Sequence, residues 1–126
     1  MPTPIRDDDR GLTESVQLAI LWPLLMLATL GIIQSGIWLH ARNVTFRAAS
    51  VAADEARGSY GSVAQAEAAA IGIAEAGGLK QIQVSVARRA AVVDVTVRAR
   101  AVLILDLGLG SLTATASVPV ERVTQP

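Results

Sequence analysis

The chain has no cysteine among its 126 residues, which excludes disulfides and thiolate metal sites and leaves its redox compartment open. Aromatics are nearly absent too: Trp22, Trp38, Phe46 and Tyr60 are the full set. The single histidine, His40, stands without a second ligand cluster, so it does not make a zinc site. Eleven basic residues balance eleven acidic ones, leaving no basic footprint of the kind nucleic-acid binding needs. Catalytic patterns are missing as well. Asp54 and Glu55 are adjacent and so point apart on a helix. Asp94 and Asp106 have no recognisable partner, the serines lack a nucleophile-elbow context, and Gly108 and Gly110 lack the lysine of a phosphate loop. The expectation is a non-enzyme without catalytic, cofactor or metal residues and without a small-molecule substrate.

What the chain does have is one long apolar run, Val16 to Leu39, free of ionisable side chains. As a helix it would span roughly 36 Å, more than the ~30 Å hydrocarbon core of a bilayer. A secretory signal has a shorter apolar region, about 7–15 residues, with a cleavage site close behind it. Here the run is followed by HARNVTFR, and the alanines at 48–53 lie too far downstream. A buried core helix is disfavoured because so short a chain has little core to surround it. The run is therefore read as a membrane anchor. Trp38 fits an interfacial position and Trp22 lies deeper. Pro23 is tolerated in a transmembrane helix. Gln17 and Gln34 are costly in lipid without partners, and Gly31 and Ser35 form a small-xxx-small pair, so these four are candidate helix–helix contacts. Glu14 joins them as a carboxylate at the membrane edge, although its local role against the helix dipole would also explain it. Counting lysine and arginine on the two flanks leaves the orientation open.

The pattern divides the chain into a flexible tail (1–12), a transmembrane helix capped near Thr13 or Ser15 (13–40), a helical stalk and turn (41–61), a small α+β domain (62–122) and a C-terminal tail (123–126). On the stalk, Val44, Ala48, Val51, Ala52 and Glu55 fall on roughly one side, and the helix should stop near Gly58 and Gly61. Ser62 followed by Gln65 matches a capping box for a second, alanine-rich helix that Gly77–Gly78 would end. The period then changes from 3.6 to 2. Ile82, Val84 and Val86 share one face, as do Val93, Val95, Val97 and Ala99, and then Leu112, Ala114, Ala116 and Val118. Arg88 and Arg89 decorate the first connecting turn. LILDLGLG reads as a bend whose leucines either cover an end of the core or touch the membrane. The fold class expected is α+β: a short helix packed on a small three-stranded antiparallel sheet behind a single long helix.

DRGLTESVQLAILWPLLMLATLGIIQSGIWLHARNV resembles the TadE-like family, the pseudopilin or minor-pilin proteins of the tight-adherence (Flp-type) pilus assembly and secretion apparatus. Gly11 before the apolar run, Pro23 inside it, LGIIQSG around Gly31 and Gly36, and HARNV leading into an alanine-rich helix carry the resemblance, with VDVTV and SLTATASV as weaker support. It implies a single-pass pilin-like protein with a cytoplasmic N-terminus and an extracytoplasmic C-terminal domain, associated with membrane lipid, with other pilus-assembly proteins or with a pilus. It also implies a prepilin peptidase that cuts between Gly11 and Leu12. That family pattern places a glutamate five residues after the glycine, where this chain has Val16, with Glu14 and Gln17 on either side. Cleavage and an uncut N-terminus both stay open. The alternative function is a membrane-tethered extracytoplasmic binding or adaptor module with no filament role.

Overall fold

The computed structural model describes residues 6–58 and 62–120. The elements are α1 (Arg6–Arg57), α2 (Val63–Ala76), β1 (Lys80–Arg88), β2 (Val92–Arg100) and β3 (Ser111–Pro119). They group into two compact units, Met1–Ser35 and Gly36–Pro126.

Helix α1 is already formed at Arg6, seven residues before the expected start, so Thr13 and Ser15 lie inside the helix and do not cap it. The Ser15 hydroxyl instead donates to the Gly11 carbonyl one turn back, at 2.8 Å. A lone glycine costs a helix only about 1 kcal/mol, too little for Gly11 to break it. The expected tail residues 1–5 and 123–126, and Gly61, lie outside the described residues. In the first unit the aliphatic and Trp22 side chains of the apolar run are exposed, apart from the half-buried Leu30. Among the described residues this is the one helix long and apolar enough to cross a membrane.

The second unit is built on a three-stranded antiparallel sheet in the order β1-β2-β3. Register places Val84, Val97 and Ala114 in one row across the inner face, and Val86, Val95 and Ala116 in the next. Gln83–Arg98–Thr113 and Ser85–Thr96–Thr115 form polar rows on the other face. Val93, Val95 and Val97 are fully buried, each worth roughly 1.5–3 kcal/mol of transfer free energy. They share one core cluster with the buried alanines of α1 and with Ala66, Ala70 and Ala74 of α2. This antiparallel sheet with its helical cover has a pilin-like layout.

Three local features differ from expectation or add to it. The buried stripe of α1 is Ala41, Thr45, Ala48, Ala49, Ala52, Ala53 and Ala56, whereas Val51 and Glu55 are exposed and Val44 is half-buried. The stripe is rotated from the expected one, because the side that joins the core cluster carries small alanines and Thr45 in place of Val51 and Glu55. The α2 ends are capped as expected: Ser62 Oγ accepts from the Gln65 N–H at 3.0 Å, and Gly78 takes the left-handed conformation (φ 82°) that ends the helix. Gly77 meets the Val44 side chain so closely that a Cβ there would collide with it. Finally, β1 carries an irregularity between Lys80 and Gln83, where Gln81 sits at φ 51°. This is a strained conformation for a residue with a Cβ.

Candidate functional site

On α1 of the first unit, successive residues turn by about 100°, which puts Gln17, Gly31, Gln34 and Ser35 within one arc of about 100°. Ile20, Leu24 and Leu27 fill the rest of that arc. The opposite side carries a shallow groove of about 350 Å³ formed by Trp22, Leu25, Met26, Thr29, Leu30 and Ile33. The small and amide side chains thus share one side of the helix with Ile20, Leu24 and Leu27, whereas the groove on the other side is lined by bulky apolar residues and Thr29. The Ser35 hydroxyl donates to the Gly31 carbonyl at 2.8 Å, and Thr29 does the same to Leu25. Both hydroxyls are thereby satisfied within the helix and leave it smooth. An added Cβ at Gly31 or Gly36 would meet open space, so neither glycine is required by packing within the chain. Gly11 and Leu12 lie in the second turn of the same helix, with Leu12 exposed, and Glu14 is exposed one turn further on.

The second unit contributes three groupings that sequence reasoning missed. Trp38, Arg42, Thr45 and Phe46 of α1 face Ser111–Thr115 of β3 across a groove of about 520 Å³. The Arg42 guanidinium lies 5.6 Å above the Trp38 ring, close enough for a cation–π contact. Asp94 is not isolated: it accepts from the Ser117 hydroxyl at 2.5 Å and faces Arg89 at 3.8 Å. Asp106 is not isolated either. It accepts from the Gly108 N–H at 3.0 Å and from the Arg100 guanidinium at 2.6 Å. The Gly108 amide first, and the Arg100 hydrogen bond and charge after it, hold its carboxyl below the usual aspartate value. The cross-strand register brings Asp94 and Ser117 together, and a six-residue separation does so for Arg100 and Asp106. Neither pairing leaves a periodic trace in the sequence. Among the described residues no group of three or more histidine, aspartate or glutamate side chains is placed to hold a metal ion.

With this geometry in view, comparison with known families gives one finding. Residues 14–54 match the family model described as TadE-like protein. The TadE-like match covers less than half of the chain and falls entirely on α1. It takes in Glu14, Gln17, Gly31, Gln34, Ser35 and most of the alanine stripe that packs on the sheet. Gly11 and Leu12 precede it, and all three strands follow it. No curated protein and no solved structure gives a significant match.

Proposed function

We propose that the chain is a single-pass, membrane-anchored pseudopilin or minor-pilin-like component of a tight-adherence pilus assembly or secretion apparatus, with its N-terminus in the cytoplasm and its α+β unit outside the membrane. The observation that carries this reading is the coincidence of the TadE-like match with a helix that bears a largely exposed apolar run and whose later residues, from Ala41 to Ala56, form part of a pilin-like core. In this reading α1 packs beside the helices of neighbouring subunits through the arc of Gln17, Gly31, Gln34 and Ser35. The bulky side, with Trp22 and Ile33, faces lipid. Glu14 pairs with a neighbour's free N-terminal amine, because pairing makes a charge near lipid less costly. Its partners are membrane lipid, other pilin-like subunits and a prepilin peptidase acting at Gly11–Leu12.

The test is to isolate the protein from native membranes and from sheared surface filaments and to measure its intact mass and N-terminus. External protease is added to whole cells and spheroplasts in parallel. A C-terminal domain digested only from outside, together with a start at Leu12 or recovery in filaments, is the expected result. A Met1 start, strict retention in the membrane and unchanged piliation on deletion would favour a tethered adaptor instead. The groove between Trp38 and β3 is the feature that such an adaptor could use.

A further inference from the structure

Among the described residues of the second unit, the connection between β2 and β3 carries the densest run of exposed aliphatic side chains. Val102, Ile104, Leu105, Leu107 and Leu109 are all exposed, Leu107 at 73%. A soluble loop does not ordinarily present so many aliphatic side chains together. The loop is also firmly closed at its base. The Ala101 N–H donates to the Gly110 carbonyl at 2.8 Å, and Asp106 turns back to Arg100 and to the Gly108 amide. The one acidic side chain of the loop is therefore neutralised while the leucines point outward.

The position of the loop indicates what covers it. It leaves the sheet at Arg100 and returns at Ser111, which belongs to the groove that also contains Trp38 and Arg42. Those two residues flank Leu39, the end of the apolar run. The loop therefore lies at the end of this unit where the chain leaves the apolar run. The charges at this end are Arg42, Lys80, Arg98 and Arg100, against Glu75 and Asp106. An aliphatic tip with a mainly cationic rim complements an anionic lipid surface, because the tip can enter the acyl boundary while the rim meets the headgroups.

We infer that the Ala101–Gly110 loop is a second membrane contact, seated in the headgroup–acyl boundary of the bilayer that holds α1. This rests on the anchor reading above, and the test separates the two. Because the chain has no cysteine, single thiols can be placed by Leu25→Cys, Leu107→Cys and Ala87→Cys, the last near the opposite end of the sheet. Each full-length variant is labelled with an environment-sensitive fluorophore. It is then reconstituted in phosphatidylethanolamine–phosphatidylglycerol vesicles with and without doxyl-labelled lipid. The expected result is a blue shift and strong doxyl quenching at positions 25 and 107, with neither at 87. Quenching at 25 but not at 107 overturns the inference and leaves the anchor standing. A blue shift at 107 without quenching also overturns it, because the loop is then covered by protein, such as a second copy. No quenching at 25 removes the anchor, and the loop inference falls with it. A Leu105→Cys probe combined with Leu107→Ser and Leu109→Ser should lose its quenching. If quenching persists, the label and not the loop is seeking lipid, and the inference fails.

Discussion

At the scale of single residues, one glycine inside α2 and one at its C-cap should respond in opposite directions to the same change. Gly72 lies in the interior of α2 with open space around it, so Gly72→Ala should stabilise the second unit by about 1 kcal/mol through helix propensity alone. Gly77 already has an ordinary right-handed backbone, so the penalty of Gly77→Ala comes from its new methyl meeting the β-branched Val44. Overpacking of this kind should cost roughly 1–3 kcal/mol. Denaturant titration of the full chain in detergent reads both values. Asp106 offers a pH test. Its carboxyl is held below the usual value of 3.8 by contacts made only in the folded chain. Its contribution is therefore complete above that value and is lost as pH falls through the lower folded-state value. The Gly108 amide resonance should titrate with a midpoint below 3.8, and Arg100→Leu should move that midpoint upward.

At the scale of elements, the side of α1 that bears Gly31 and Ser35 makes a specific claim about assembly. Replacing both by leucine removes the Ser35 hydroxyl bond to the Gly31 carbonyl within the helix, while a Cβ at Gly31 meets open space and Ser35 is exposed. In the proposed assembly this change blocks close helix approach, and crosslinking between subunit helices should fall about tenfold if roughly 1.4 kcal/mol of contact is removed. Unchanged crosslinking would place the contact on another side. Much of this architecture was legible in the sequence. The apolar run, the Ser62–Gln65 cap, the Gly77–Gly78 stop and the alternation through Val93, Val95 and Val97 are local signals that act within a few residues. Other features depend on partners distant in sequence. Alanines surround the stalk on several sides, so periodicity alone did not show that Ala41, Ala49 and Ala53 face inward while Val51 faces out. The irregularity at Gln81 had no glycine to mark it. The partners of Asp94 appeared only once the strands were in register.

At the scale of the whole molecule, the exposed apolar run and the core draw on different parts of the composition: leucine and isoleucine dominate the run, while alanine and valine fill the folded unit. The alanine-lined core has a thermal consequence. Alanine loses no side-chain rotamer freedom on burial, but it removes little apolar surface from water. The heat-capacity change on unfolding depends on that surface, so calorimetry of the second unit's transition should give a value below the usual ~12–15 cal/mol/K per residue. A value at or above that range would mean that burial is more extensive than the alanines allow. A small heat-capacity change flattens the stability curve. Such a unit gains little at its optimum and gives up little on either side of it, and the same small exposed surface makes its stability fall gently with added denaturant.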